Sequence, residues 1–291
     1  MATVDKRPPD MLNKAIIDFV IQLNDAVIDK PIADEICTET TQEEKTVSST
    51  ISRLISVLNR IEELTVHYKP EDHTGCRFGS KAHSIWLNHI SEIWDEVADE
   101  LGITKADLDE GSKLKMRMHF LNSFGSNTRV DYGTGHEIQF TWFLKCLYDA
   151  NLLNEEDLSD LVLRVMSRYF KFVRYLIDRY NLEPAGSKGA WGIDHYQFLP
   201  FLLGSAQLKS NIEVVPQWIV QQGNTSTLTE RYIFLQTMEY IKKKLKGLTL
   251  EIAAPMLFAI CNSCGWRKIN SGLIKMYKDD IVNISRIKHR C

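Results

Sequence analysis

The sequence has neither a strong excess of one charge nor a long apolar run. Its 35 lysine and arginine residues nearly balance 38 aspartate and glutamate residues, so the net charge is only −3. A general attraction to nucleic acid or to anionic lipid is therefore not expected. No stretch reaches the ~18 apolar residues that a membrane-spanning helix needs, and the N-terminus holds no apolar segment of a signal peptide. We expect a soluble protein that is not exported and has neither nucleic acid nor membrane as a partner.

Cysteine is also scarce, with six residues scattered over 291 positions. These are too few for a disulfide framework, which favours a reducing compartment, either the cytoplasm or the nucleus. Cys261 and Cys264 form a C-x-x-C pair, yet no second pair of cysteines or histidines lies at the spacing of a zinc finger. A structural role for this pair is favoured over a metal site or a redox site.

Strand patterns are rare, and helical patterns cover most of the chain. Only residues 212–215 alternate between apolar and polar positions, and Pro216 ends that pattern. Elsewhere apolar residues recur every three or four positions, as they do on one face of a helix. Such patterns predict helices over roughly 12–27, 51–64, 85–101, 154–180 and 229–246, with Asn154 as the N-cap of the longest.

The composition is that of a globular protein, with 44% apolar and 25% charged residues. Together with the helical patterns, it predicts an all-α fold that forms a single compact helical body. We expect a flexible N-terminus at residues 1–9 and one helical domain over residues 10–291.

Two glycine-rich segments interrupt the helical patterns, and the first is residues 125–137 (GSNTRVDYGTGHE). Glycines before an apolar helix, together with one arginine, offer the backbone amides and the guanidinium that bind phosphate. The segment lacks the lysine of a phosphate-binding loop, as well as the third glycine and the preceding strand of a dinucleotide-binding motif. An ordinary turn that caps the helix remains an alternative. So does an ion pair of Arg129 with Asp131 or Glu137.

The second segment covers residues 184–204, where glycines flank Trp191 and an Asp194-His195 pair follows. Trp191 is either an exposed anchor for a partner or a buried core residue, and both interpretations stay open. No G-x-S-x-G motif or other activated nucleophile is present in the sequence, so hydrolase chemistry has no candidate residues.

The two segments resemble the signatures of a known family. Residues 126–137 are similar to the central motif of the phosphotyrosyl phosphatase activators, and residues 183–208 are similar to their second signature. Residues 77–82 and 269–278 agree with further blocks in the same order, so the resemblance covers nearly the whole chain. It implies an all-helical fold with core, linker and lid subdomains.

The resemblance also implies a function. Members of this family bind and activate the catalytic subunit of protein phosphatase 2A, with ATP and magnesium at the interface. Peptidyl-prolyl cis/trans isomerase activity on proline-containing peptides is implied as well. At the matching positions, Arg129 would contact phosphate, while Thr134 and Gly135 would line the nucleotide pocket.

Five further residues receive roles from the resemblance. Gly189, Asp194 and His195 correspond to the loop near the metal, although His195 stands where an acidic residue is common. A neutral imidazole is a poorer ligand for magnesium than a carboxylate oxygen. Trp191, Asp194 and Glu251 would face the phosphatase.

Three functions follow as competing hypotheses. The first is a phosphatase activator that uses ATP as a structural co-ligand. The second is a free-standing prolyl isomerase that binds substrate with Trp191, Tyr196, Phe198 and Phe201. Its catalytic residues are not identified, because rotation about an amide bond requires no acid or base. The third is a helical protein-interaction module that binds no ligand.

Overall fold

The computed structural model describes residues 9–33, 47–70, 79–186, 192–221, 226–245 and 247–288. The regular structure of these residues is almost entirely helical, which confirms the predicted all-α fold. Two strands of two residues each, β1 (Asp131–Tyr132) and β2 (Glu183–Pro184), pair in parallel. The helices are α1 (Pro9–Ala26), α2 (Ser49–Glu63), α3 (Lys81–Glu92), α4 (Trp94–Glu100), α5 (Glu110–Leu121), α6 (Thr134–Asp149), α7 (Leu158–Asp160), α8 (Ser167–Tyr180), α9 (Leu199–Gln207), α10 (Pro216–Gln221), α11 (Ser226–Thr229), α12 (Ile233–Lys244), α13 (Leu250–Ala253), α14 (Pro255–Ser263) and α15 (Trp266–Lys288).

The longest predicted helix begins where expected. Asn154 is the N-cap, and its side-chain oxygen accepts a hydrogen bond from the Glu156 amide at 2.9 Å. The Asp157 carboxylate accepts the Asn154 amide in return, also at 2.9 Å. This reciprocal capping satisfies amides that have no partner inside the helix. The helix then runs from α7 to α8 through a π-helical stretch, Leu161–Met166.

One predicted helix is divided in the structure, and the one segment with an alternating pattern is not a strand. The helix predicted over 85–101 is divided into α3 and α4 at Ile93, whose ψ of 9° lies outside the helical range. Residues 212–215 form a turn in place of a strand. The Asn211 side chain there accepts the amides of Glu213 and Val214 at 2.9 and 2.7 Å. This local hydrogen bonding favours a turn over an extended strand.

The described residues fall into two compact units. One unit comprises residues 47–186, and the other comprises residues 9–33 together with the chain from residue 192 onward. The division into residues 1–9 and 10–291, and the core, linker and lid subdomains, stay predictions. None of the helices described is both long enough and apolar enough to cross a membrane.

The unit of residues 47–186 has an aromatic core. The rings of Phe140 and Tyr169 are stacked with centroids 3.7 Å apart. Trp86 packs edge-on against Phe124 and Phe172, at 5.9 Å each. Helices α3, α6 and α8 and the turn after α5 contribute these rings, so the core fixes the end of α5 relative to the start of α6. The first glycine-rich segment lies between those two points.

The second unit is organised around a buried polar residue, Asn270 of α15. Its amide nitrogen donates to the Asn24 side chain at 2.7 Å, to the Ser205 hydroxyl at 3.0 Å and to the Leu202 carbonyl at 3.1 Å. Asn24 lies on α1, and the other two residues lie on α9. A buried amide with these partners is satisfied and links three helices.

Candidate functional site

The first glycine-rich segment is a loop closed by its own backbone. The Ser126 amide donates to the Asp131 carbonyl, and the Val130 amide donates to the Ser126 carbonyl, each at 3.0 Å. The Arg129 amide donates to the Ser126 hydroxyl at 3.2 Å. Val130 has a φ of +52°, in the left-handed region that β-branched residues rarely adopt. The loop thus holds Arg129 on a defined and locally strained backbone.

A glycine allows the two signature segments to meet. The Ala185 amide donates to the Tyr132 carbonyl at 2.7 Å, which extends the pairing of β1 with β2. A Cβ atom placed on Gly133 would lie 2.6 Å from the Ala185 carbonyl oxygen. No side chain fits at that distance, so Gly133 is required where the end of the first segment contacts the start of the second.

Helix α6 begins directly after this contact and offers open amides. Its N-cap, Gly133, has no side chain that could accept a hydrogen bond from the first turn. The amides of His136 and Glu137 donate to the Gly133 carbonyl. Among the residues that the structure describes, none accepts a hydrogen bond from the Thr134 or Gly135 amide. Two free amides at the N-terminus of a 16-residue helix form an anion-binding feature.

Arg129 makes one of the two ion pairs considered from the sequence. Its Nε lies 2.9 Å from Oδ2 of Asp131, while its side chain remains 68% exposed. Asp131 itself is buried. Arg129, Thr134 and Gly135, the predicted nucleotide-binding residues, therefore lie on one short loop and the helix start that follows it.

His136 follows Gly135 and faces Asp131 from the first turn of α6. Its Nδ1 lies 2.7 Å from the Asn122 carbonyl oxygen, which can only accept, so Nδ1 carries a proton. Its Nε2 lies 3.7 Å from Oδ1 of Asp131, beyond hydrogen-bond distance. Burial lowers the pKa of His136, so the ring is neutral at neutral pH.

His83 is a buried histidine behind the same loop. Its Nε2 lies 3.0 Å from the Phe124 carbonyl oxygen, and its ring is stacked on Trp86. Burial lowers the pKa of His83 to about 4. These contacts are those of a packed core residue.

The low pKa of His83 predicts a pH dependence of stability. A histidine that titrates near 6.5 when unfolded and at about 4 when folded takes up its proton more readily in the unfolded state. The free energy of unfolding should therefore fall as the pH drops from 6.5 towards 4, by at most roughly 3 kcal/mol. His83→Gln, which keeps a donor for Phe124 but does not titrate, should flatten this dependence.

Urea denaturation of both proteins at several pH values measures that difference. His136 titrates in the same direction, so the variant should retain part of the slope. Equal slopes for wild type and His83→Gln would show that His83 does not titrate in this range.

The remaining predicted site residues belong to the second unit or lie outside the described residues, as Gly189 and Trp191 do. Oδ2 of Asp194 accepts the amides of Tyr196 and Gln197 at 3.1 and 2.9 Å, which turns the chain before α9. His195 is exposed. In the part of the chain that the structure describes, no three His, Cys, Asp or Glu side chains cluster as a metal site would require.

Glu251 lies on the surface beside two apolar residues that the sequence analysis missed. It is exposed in the first turn of α13. Leu248 and Ile252 flank it and are 55% and 68% exposed. We call these three residues the Glu251 surface. Exposed large aliphatic residues next to a charged residue are typical of a protein-binding surface.

Cys261 and Cys264 lie at the end of α14 as free thiols. Burial raises the pKa of Cys261 to about 12, so its thiol stays protonated and unreactive.

Comparison with known proteins identifies the family. A family model described as "Phosphotyrosyl phosphate activator (PTPA) protein" matches residues 11–289. The serine/threonine-protein phosphatase 2A activator 2 of Neurospora crassa is 32% identical over 270 residues, covering 92% of this chain and 58% of that protein. The serine/threonine-protein phosphatase 2A activator of Drosophila melanogaster is 34% identical over 236 residues, covering 81% of this chain and 58% of that protein.

The chain thus spans 58% of the length of these two curated relatives. The crystal structure of the PP2A phosphatase activator Ypa1 has the same fold, with a TM-score of 0.75 at 24% identity, covering 92% of this chain and 81% of that one. The family match over residues 11–289 and the relatives above 30% identity lead to one conclusion. This chain belongs to the phosphotyrosyl phosphatase activator (PTPA) family.

Proposed function

We propose that this protein activates protein phosphatase 2A by binding its catalytic subunit, with ATP and magnesium at the interface. The curated relatives carry the name of phosphatase 2A activators, which supports the partner. The proposal that the protein binds ATP rests on one observation. The exposed guanidinium of Arg129 and two amides that donate no hydrogen bond, at the start of α6, belong to the same segment. We place this function in the cytoplasm or the nucleus.

The residues of the first segment fit a phosphate group. The guanidinium of Arg129 is exposed and offers donors in the fork geometry that suits phosphate oxygens. The amides of Thr134 and Gly135 add two neutral donors and the positive end of a helix dipole, which favours an anion. When bound, ATP would supply a polyphosphate whose negative charge these groups compensate.

The fit of magnesium is weaker than that of the nucleotide. One carboxylate oxygen of Asp194 accepts hydrogen bonds from two backbone amides. The other oxygen is a hard ligand of the kind that magnesium prefers. His195 offers an imidazole, which magnesium does not favour. In this proposal Asp194 supplies the oxygen ligand of the metal, and Gly189 contributes backbone only.

We propose that the Glu251 surface contacts the phosphatase, together with Trp191 and Asp194. Replacing Ile252 by aspartate should weaken binding of the catalytic subunit about five- to thirtyfold, because truncating a central interface residue typically costs ~1–2 kcal/mol. Val66→Asp is the matched control, since Val66 is 59% exposed but lies in the other unit. Surface plasmon resonance with immobilised catalytic subunit measures both variants. Equal losses in the two variants would remove the Glu251 surface from the interface.

Prolyl isomerase activity is a second proposal, and it rests on the family resemblance. Phe198 and Phe201 are buried in the second unit. A peptide groove would therefore depend on Tyr196, which is half-buried, and on Trp191. A protease-coupled assay with a proline-containing peptide tests this activity. A rate equal to that of uncatalysed isomerisation, which takes tens of seconds, would remove it.

Co-precipitation tests the proposed function. The purified chain should retain the phosphatase 2A catalytic subunit when ATP and magnesium are present, and it should retain less without them. Isothermal titration calorimetry with ATP separates the activator from a ligand-free interaction module. Retention of the phosphatase with no heat of ATP binding would favour the module.

A further inference from the structure

The strongest feature left unexplained is Asp131, a buried carboxylate between Arg129 and His136. We propose that Asp131 is a positioning residue that holds Arg129 for phosphate binding. This inference rests on the proposed nucleotide site and adds a residue to which the sequence assigned no role beyond a possible ion pair.

Asp131 is fixed more firmly than the arginine that it contacts. Its backbone lies in β1, opposite Glu183, and its carbonyl oxygen accepts the Ser126 amide at 3.0 Å. The Asp131 side chain is only 13% exposed, whereas the Arg129 side chain is 68% exposed. Of the two partners, the carboxylate is thus the anchor and the guanidinium is the group being held.

The contact determines which edge of the guanidinium is available. Oδ2 of Asp131 lies 2.9 Å from Nε of Arg129, so the carboxylate occupies the edge that contains Nε. The two Nη atoms carry the other four N–H donors. With Nε occupied, a phosphate must approach the edge formed by the two Nη atoms, which can donate two parallel hydrogen bonds.

The other carboxylate oxygen explains why the contact persists. Oδ1 is buried and has no hydrogen-bond partner among the described residues. Nε2 of His136 is 3.7 Å from it and carries no proton when the ring is neutral. Arg129 is therefore the cation that compensates the buried charge of Asp131, and its departure would leave that charge without compensation.

Holding a long side chain in place lowers the cost of binding. A free arginine loses rotamer freedom when a ligand immobilises it, and an arginine already held by a carboxylate loses less. The same carboxylate repels phosphate, since both are negative. The two effects have opposite signs, so removing the charge of Asp131 distinguishes them.

Calorimetric titration of Asp131→Asn with ATP provides the test. Positioning predicts that ATP binds about three- to tenfold more weakly, the effect of one immobilised side chain. Simple electrostatics predicts tighter binding.

In the Arg129→Ala background, Asp131→Asn should cause no further loss of ATP affinity. Adenosine, which has no phosphate, should bind wild type and Asp131→Asn equally, whereas general damage to the site would weaken both ligands.

Asp131→Glu covers the case in which Asp131→Asn fails to fold. It keeps the charge but lengthens the side chain by one methylene group, so positioning again predicts weaker ATP binding. Equal or tighter ATP binding by the folded variants overturns the role of Asp131 and leaves the nucleotide site standing. If the wild-type protein does not bind ATP, the proposed nucleotide site is wrong and this inference is overturned with it.

Discussion

Replacing Arg129 by alanine is expected to weaken ATP binding by roughly ten- to a hundredfold. A charge-assisted contact between a guanidinium and a phosphate is worth ~1.5–3 kcal/mol, and a loss of that size gives this change in the dissociation constant. Lysine should not restore the affinity, because it offers a point charge where arginine offers a planar fork. Isothermal titration calorimetry with ATP and magnesium measures the change.

A matched control separates this effect from the loss of an ion pair. Arg164 also uses Nε to contact a carboxylate, that of Asp160 at 3.1 Å, and its side chain is 47% exposed. Arg164→Ala should leave ATP binding unchanged. The melting temperatures without ATP must also be compared. If Arg129→Ala melts below wild type in the absence of ATP but binds ATP as tightly as wild type does, Arg129 is a structural residue that compensates Asp131, and its nucleotide role is wrong.

Replacing Gly204 by alanine is expected to cost about 3 kcal/mol of unfolding free energy, the upper end for overpacking a core. A Cβ atom on Gly204 would lie 2.3 Å from the Phe234 backbone nitrogen and 2.8 Å from its Cα. These are backbone atoms of α12, which packs against α9. No side-chain rotation relieves such a contact, so the two helices must move apart. Part of this loss is offset because alanine favours the helix more than glycine does.

Gly272 provides the control in the same unit. It lies in α15, and no atom of the described residues, apart from its chain neighbours and the backbone of its own helix, lies within 4 Å of a Cβ atom added to it. Gly272→Ala should be neutral or stabilising by up to ~1 kcal/mol, since alanine favours the helix without a clash. Chemical denaturation of both variants measures the difference. A Gly204→Ala protein as stable as wild type would contradict the close approach of α9 and α12.

Local patterns were the most reliable part of the sequence analysis. Asn154 and its capping partner Asp157 are three residues apart, so both the signal and the structure that it specifies are contained in a single turn. The helical periods likewise reflect which face of each helix is buried. The break at Ile93 was missed because apolar residues continue at helical spacing on both sides of it. The spacing of apolar residues indicates which positions are buried. The buried face continues through such a break, so the spacing does not reveal it.

Contacts between distant segments were harder to anticipate. The pairing of β1 with β2 involves only two residues on each side and joins segments about fifty positions apart. No strand pattern of that length can be recognised in a sequence. The need for glycine at position 133 arises from the Ala185 carbonyl and is likewise visible only in the fold. The ion pair of Arg129 with Asp131 was considered because the two residues are two positions apart.

The Glu251 surface illustrates a third limit. The sequence resemblance pointed to Glu251, but no predicted helix covered Leu248 or Ile252, and no sequence pattern marked them as exposed. Leu248 lies two residues before the four-residue helix α13 and Ile252 lies on it, and both side chains are exposed. Exposure of this kind follows from tertiary packing, so it could not be read from the order of residues.

The central claim is that this chain activates phosphatase 2A with the help of ATP. The most direct measurement incubates inactive catalytic subunit with the chain, ATP and magnesium, and then follows dephosphorylation of a phosphoserine peptide. We predict that activity rises with the wild-type chain, rises less without ATP, and rises less with Arg129→Ala than with Arg164→Ala. A wild-type chain that binds neither the catalytic subunit nor ATP, and leaves phosphatase activity unchanged, would contradict the account.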